Sequence, residues 1–586
     1  MPQSSRPQYG VLVEKNVPMT TRDGVTLRAD VYRPDAAGRF PVLLSRLPYD
    51  KNLRARPGDI DYFVERGYVV IMQDTRGRFA SEGEEYYPLI WEGQDGYDAV
   101  EWAAALPCSD GNVGTMGQSY LGATQYLLIP TRPPHLKAAF PVSAAADFHQ
   151  CWIYHTGGVF ELGWQIPYAI FMARDSIERQ GLTQTLLPQL ERELTDAPTP
   201  FAQPLSAQAY RRLPLMSWAE LLKPVARYLA DHLRHPEDGP YWWPINLERQ
   251  HHNVSVPMYH VTSWYDIFLH GGIANFCGSR ERAMTAAARA QQKVLIGPWA
   301  HLFPYTTPTS KGTGDIDFGP SALIDLHETQ LRWFDYWLKG MDTGILEEPP
   351  IKIFVMGENT WREENEWPLA RTRYTPYYLH SQGQANSLRG DGRLSPLGPG
   401  DEPQDHSVYD PNDPVPTCGG NTLIIPMGVQ DQRRVEERQD VLVYTSEPVT
   451  APLEVTGPIV VKLFAATSAP DTDFTAKLVD VRPDGYAQNL TDGIIRARYR
   501  ESRAHPSLLT PGKVYEFTID LWATSHVFLP EHRLRVEISS SNFPRFDRNL
   551  NTGEDQATGT RVQTAEQTIF HDQRYPSHLL LPVIPR

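Results

Sequence analysis

The amino-acid sequence predicts an α/β protein: a doubly wound, mostly parallel sheet interrupted by a helical cap insertion and followed by a C-terminal β-sandwich of jelly-roll type. Three observations carry this expectation. Between residues 40 and 142, apolar runs of strand length alternate with segments of helical spacing, the order that builds a sheet covered on both faces. From about residue 147 to 247 strand-like runs vanish, and aromatic residues such as Tyr154, Phe160, Tyr168, Phe171, Trp218, Trp242 and Trp243 recur along helical stretches. Beyond about residue 349, many short period-two strands follow one another with no helix between them. The expected division is an α/β domain over 1–146 and 248–352, a cap over 147–247 lying above the site, and a sandwich over 353–586.

Each element has a local cause. Residues 25–31 (Val-Thr-Leu-Arg-Ala-Asp-Val) alternate as a half-buried strand does. Residues 40–47 are a continuous apolar run, the pattern of a strand deep in a parallel sheet. A helix is expected over 59–66, stopped by Gly67, and a buried strand over 68–72. Tyr97, Val100, Trp102 and Leu106 fall at helical spacing within 92–106. Further strands are expected at 138–142, 256–261 and 293–297, with a closing helix over 322–338. In the C-terminal part, strands are expected at 441–444, 459–464, 476–481, 514–519 and 533–538. Arg482-Pro483-Asp484-Gly485 has the composition of a hairpin turn, and the proline- and glycine-dense stretch 388–416 that of surface loops.

Bulk properties exclude several functions. A chain of 586 residues exceeds a single core and needs several domains. The net charge of −15 argues against a nucleic-acid partner, which calls for a basic surface. Cys108, Cys151, Cys277 and Cys418 are scattered with no C-x-x-C pair, so reduced thiols are expected rather than a zinc site or a disulfide framework. The first nine residues are polar with no apolar signal region, and no run of 18 apolar residues occurs. No membrane association is expected, and a cytoplasmic location follows by default.

The chemistry centres on Asn112-Val113-Gly114-Thr115-Met116-Gly117-Gln118-Ser119-Tyr120-Leu121-Gly122. A glycine-punctuated strand runs into Ser119 and a helical segment follows, the layout of the nucleophile elbow of an α/β-hydrolase. Glycines belong there because a nucleophile at positive φ tolerates no Cβ crowding beside it. Leu121 stands where G-x-S-x-G has its second glycine, and Gly122 comes one place later. A serine needs a base, and the base an orienting acid, in the order Ser, Asp or Glu, His, each beyond a strand. Asp266 follows the strand ending at Ser263, and His301 follows the strand 293–297 through a Gly-Pro turn. His251, His252, His260 and His327 compete, but lie in a loop, a strand interior or a helix. For the oxyanion hole, one donor is the N–H of Tyr120. The early loop Arg46-Leu47-Pro48-Tyr49-Asp50-Lys51 has no glycine, and its proline has no N–H to give; the Tyr49 hydroxyl is the donor it offers.

These segments, with Gln73-Asp74-Thr75-Arg76-Gly77, Trp264-Tyr265-Asp266, Gly297-Pro298-Trp299-Ala300-His301 and the late run Ser539 to Asn549, resemble the CocE/NonD family of serine hydrolases. The likeness extends from about Asp23 to the C-terminus. It implies an α/β-hydrolase domain, a helical cap and a jelly roll, with Ser119, Asp266 and His301 as the catalytic triad. It also implies an oxyanion hole of the Tyr49 hydroxyl and the Tyr120 N–H, and it accounts for the displaced glycine as G-x-S-Y-x-G. By position, the acyl pocket is implied at Trp152, Trp164 and Phe268, with Ile424 and Ile425 reaching in from the jelly roll. The implied substrate is an ester with an aromatic or other bulky acyl group; water is the second reactant, and neither metal nor organic cofactor takes part. Family analogy also allows a homodimer. Related α-amino acid ester hydrolases carry a Glu-Asp pair where Phe268 and Leu269 stand here, and X-Pro dipeptidyl peptidases carry a further N-terminal helical domain. Two rivals remain: an amidase or β-lactam side-chain acylase with the same machinery, and a non-catalytic carbohydrate- or partner-binding protein.

Overall fold

Ten strands form the first sheet of the computed structural model, which describes residues 4–54, 57–196, 202–301 and 314–586. They are β1 (Val11–Thr20), β2 (Thr26–Pro34), β3 (Phe40–Leu47), β4 (Val69–Asp74), β5 (Ser109–Gln118), β6 (Leu136–Val142), β7 (Tyr259–Ser263), β8 (Lys293–Gly297), β9 (Ile351–Val355) and β10 (Thr360–Glu364). Their spatial order is β1-β2-β4-β3-β5-β6-β7-β8-β9-β10. From β4 to β9 in that order, neighbours pair in parallel. β3, β4, β6, β7 and β8 are buried almost throughout, which is why they read as unbroken apolar runs.

The two edges of this sheet depart from expectation. β1 is largely exposed, so no alternation betrays it; its antiparallel ladder with β2 holds it instead. At the other edge, the expected boundary at 352/353 falls inside β9, which pairs with β8, and β10 carries the sheet to Glu364.

Five helices matter for the site: α1 (Glu92–Ala104), α2 (Tyr120–Leu128), α3 (Leu162–Arg179), α4 (Leu269–Arg282) and α5 (Leu326–Lys339). The closing helix α5 starts later than its apolar pattern suggests because the Asp325 side chain caps it by accepting the Glu328 N–H. Gly340, at φ 67°, ends it in the left-handed conformation.

The segment between β6 and β7 is helical, as expected, but among its described residues only α3 is long. Its other helices, such as Ala207–Tyr210, Met216–Leu222 and Tyr228–Arg234, span four to seven residues. Prolines at 204, 214, 224, 236, 240 and 244 interrupt the backbone ladder before longer helices can form. Trp164, Trp218 and Trp242 are fully buried and build the core of this layer. Residues 197–201 of the expected cap lie outside the described residues.

Eleven strands form the C-terminal sheet: β11 (Arg373–His380), β12 (Arg393–Ser395), β13 (Asp405–Tyr409), β14 (Leu442–Thr445), β15 (Leu453–Thr467), β16 (Asp473–Val481), β17 (Ala487–Arg496), β18 (Tyr515–Phe528), β19 (Arg533–Ser539), β20 (Ala565–Phe570) and β21 (His578–Ile584). All pairs are antiparallel apart from β12 with β14. They share one core that includes Leu379, Tyr444, Leu463, Phe474, Phe517 and Ile538. The hairpin between β16 and β17 turns at Gly485, φ 86°. β12 and β13 lie within 388–416, where prolines and glycines suggested only loops; both strands are too short to show a period.

The late run Ser539 to Asn549 serves architecture. The Arg545 carbonyl accepts the Gly163 N–H at the start of α3, and Asp547 accepts the Phe160 N–H just before it. Arg496, wholly buried, pairs with Asp473 and Asp547. A Cβ on Gly163 would stand 2.9 Å from the Pro544 carbonyl oxygen, so glycine lets the cap helix close on this run.

Candidate active site

Ser119 sits between β5 and α2 at φ 62°, ψ −123°, a conformation a non-glycine residue adopts only when its surroundings impose it. Its N–H donates to the Val142 carbonyl at the end of β6, and its carbonyl accepts from Ala123. Gly117, at φ 141°, leaves room for Leu121: a Cβ would lie 2.4 Å from the leucine Cβ. A Cβ on Gly122 would lie 2.8 Å from the Val142 oxygen and 3.0 Å from the Ala144 Cβ. The second glycine therefore stands where α2 crosses the end of β6, one residue beyond its place in G-x-S-x-G.

Asp266 and His301 leave the carboxyl ends of β7 and β8, the side of such a sheet where sites form. His301 Nδ1 is 2.9 Å from Asp266 Oδ2, and both side chains are buried. The other carboxylate oxygen, Oδ1, accepts the Phe268 N–H at 2.6 Å. Gln118, the residue before Ser119, donates its amide to the His301 carbonyl at 2.6 Å, which ties the His301 loop to the turn at Ser119. A Cβ on Gly297 would lie 2.2 Å from the Trp299 ring, so the Gly-Pro-Trp turn folds the indole back over the strand end. The competing histidines lie in other contacts: His260 bonds the Tyr126 hydroxyl, His251 bonds Asn275, and His327 packs on Tyr62 and Phe63.

Three residues of this neighbourhood are not singled out for the site by the sequence reading. Ser143, one residue past β6, has its hydroxyl 2.5 Å from Asp266 Oδ2 and 3.0 Å from His301 Nδ1. Asn421, from the β-rich part, donates its amide to the carbonyls of Trp264 and Asp266, each at 2.9 Å. Tyr168 of α3 meets the Tyr49 hydroxyl at 2.7 Å. Position just beyond a strand could have flagged Ser143; Tyr168 and Asn421 are brought in by tertiary structure alone.

Tyr49 packs edge-on against Tyr120, with ring centroids 6.2 Å apart. The loop bearing it is held from below. Arg78 donates to the Pro48 carbonyl, Lys51 pairs with Asp74 at 3.0 Å in the interior, and Asp50 takes φ 66°. Tyr120 is anchored through its own hydroxyl, which bonds Glu92; Glu92 in turn pairs with the buried Arg46. Burial pushes the Tyr120 and Tyr168 phenols well above their usual range, so both stay neutral hydrogen-bonding groups. The motifs around Tyr49 and Asp74 thus form a buried scaffold under the loop.

Of the five residues expected around the acyl group, the three aromatic ones meet. Trp152 and Phe268 stack at 4.5 Å with 9° between planes, and Trp164 meets both edge-on at 5.4 and 5.9 Å. Phe268 also meets the His301 ring edge-on at 5.4 Å. Ile424 and Ile425 belong to the same buried cluster. Ile424 sits at φ 73°, a strained conformation for a β-branched side chain. Reciprocal bonds between Gly420 and Gly428 close the neck of its loop.

Residues 23–303 match the family model described as X-Pro dipeptidyl-peptidase (S15 family), and residues 343–580 match that of the X-Pro dipeptidyl-peptidase C-terminal non-catalytic domain. The cocaine esterase of Rhodococcus sp. (strain MB1 Bresler) is 39% identical over 592 residues, covering 98% of this chain and 99% of that protein. An aminopeptidase structure from the marine sediment archaeon Thaumarchaeota archaeon superposes with a TM-score of 0.83 at 25% identity, covering 100% of this chain and 99% of the other. An α-amino acid ester hydrolase structure gives 0.78 at 26% identity, covering 99% and 98%. Among the described residues, no helix is long and apolar enough to cross a membrane.

Proposed function

As a member of the CocE/NonD family of serine hydrolases, this chain is an ester hydrolase, and we propose that it works through a triad of Ser119, His301 and Asp266. The observation that carries this reading is the Asp266 Oδ2 to His301 Nδ1 contact, tied through the Gln118 amide to a serine held at φ 62° on a strand-to-helix turn. Ser119 Oγ attacks the ester carbonyl while His301 takes its proton, then returns it to the leaving alcohol. Asp266 keeps the proton on Nδ1 and stabilises the imidazolium. The Tyr120 N–H and the Tyr49 hydroxyl receive the tetrahedral oxyanion. Water, activated by the same histidine, then releases the acid from Ser119. A fluorophosphonate probe should label Ser119 alone, read by peptide mass spectrometry; labelling elsewhere would remove the serine from this role.

Trp152, Trp164, Phe268, Ile424 and Ile425 support an acyl pocket for an aromatic or otherwise bulky, uncharged acyl group. Phe268 and Leu269 are wholly buried apolar side chains, which disfavours a substrate ammonium beside them. The reading keeps the α/β-hydrolase segment 1–146 and the cap 147–247, extends the second hydrolase segment from 248–352 through β10 to Glu364, and starts the C-terminal sandwich after it. The four free thiols fit a reducing cytoplasm.

Tyr49→Phe tests the oxyanion hole. Its ring packing against Tyr120 survives while the donor is lost, so kcat should fall by about 10²–10³-fold with KM little changed. Steady-state kinetics on a chromogenic aryl ester would read this, and a wild-type kcat would take Tyr49 out of the oxyanion hole.

A further inference from the structure

We propose that Ser143 is a positioning residue for the acid–base pair, a role that rests on the triad reading above. Its hydroxyl lies against both partners, 2.5 Å from Asp266 Oδ2 and 3.0 Å from His301 Nδ1, while those two atoms are 2.9 Å apart. The three atoms form a closed triangle, and one proton arrangement satisfies it. The Ser143 proton points at Asp266 Oδ2, and the His301 proton sits on Nδ1, facing Asp266 and the serine lone pairs. With Nδ1 unprotonated, a lone pair on that nitrogen would face the carboxylate at 2.9 Å. Asp266 thus keeps the proton on Nδ1, so that Nε2 takes one from Ser119, and the Ser143 hydroxyl fixes the carboxylate oxygen that does so.

The backbone places this hydroxyl by constraint. Ser143 is 1% exposed and lies at φ 50°, directly after β6, with its N–H bonded to the Val261 carbonyl on β7. Positive φ is unfavourable for serine, and surroundings that hold it there aim a short side chain at one point. Val142, the preceding residue, accepts the Ser119 N–H. One two-residue step thus touches the nucleophile through its backbone and the acid and base through its side chain. On the acid, Oδ1 is held by the Phe268 N–H and Oδ2 by Ser143, so the carboxylate has no freedom to rotate away from the imidazole.

Two variants separate the hydroxyl from the backbone. Ser143→Ala removes the hydroxyl and keeps the Cβ at positive φ; Ser143→Gly removes it and relieves the conformation. Both should lower kcat for an aryl ester about 10- to 100-fold, the scale of a slightly misplaced catalytic group, with KM within about twofold. Because Ser143 acts through Asp266, Ser143→Ala should cost little more once Asp266→Asn is present, so the two losses should not multiply. The low-field proton resonance of His301 Nδ1 should shift in Ser143→Ala. Wild-type kcat in both variants, full activity in the glycine variant alone, or multiplicative losses in the double variant would each overturn the role. Failure of the triad itself shows separately, as a wild-type protein whose Ser119 a fluorophosphonate does not label.

Discussion

Replacing Ser119 by alanine is expected to lower kcat for ester hydrolysis by on the order of 10⁵–10⁶-fold, while the protein folds and melts as before. The two halves of that expectation have separate causes. Alanine meets φ 62° no worse than serine, and the backbone bonds to Val142 and Ala123 do not involve the side chain. The scaffold under the turn, from Gly117 and Gly122 to the Arg46–Glu92–Tyr120 chain, is likewise untouched. What disappears is the atom that attacks, and with it the covalent intermediate. A residual acceleration over water of about 10³ should persist, because the oxyanion donors would still polarise the carbonyl. Turnover near the wild-type rate would mean that a different group attacks the ester.

Asp266→Asn should reduce kcat about 10⁴-fold through the histidine tautomer, again without unfolding. The new amide must choose an orientation, and its neighbours choose for it. The Phe268 N–H requires an acceptor at the Oδ1 position, so the amide oxygen goes there and the NH₂ takes the place of Oδ2. That NH₂ then faces His301 Nδ1 and the Ser143 hydroxyl. His301 can satisfy the contact only by accepting on Nδ1 and carrying its proton on Nε2, where it cannot accept one from Ser119. Measured kcat should therefore recover partly at high pH, where the serine hydroxyl needs less help; a loss below tenfold would mean that Asp266 does not set the tautomer.

Much of this architecture was legible from local pattern. β3 and β8 lie at the spans their apolar runs predict, and Ser119, Asp266 and His301 each follow the end of a strand, as expected. The failures have physical sources. β1 is an exposed edge held by backbone pairing, which leaves no hydrophobic period to detect. β9 reads like the β-rich segment behind it, and only pairing with β8 assigns it to the first sheet. Ser143 is an ordinary serine in a run of small residues; what distinguishes it is a backbone angle and two neighbours from distant loops. Asn421 lies 155 residues beyond Asp266 in the chain, and no spacing rule links an amide in one domain to carbonyls in another.

The Asn421 contact has a consequence for how such enzymes are built. The amide clasps the loop carrying the acid from a module whose own family description is non-catalytic. An α/β-hydrolase sheet inherited alone would keep its strand-to-helix turn at Ser119 yet lose the outside brace on the Asp266 loop. The two modules would then be selected as a matched pair, and a sandwich exchanged between relatives would carry part of the catalytic alignment along with it.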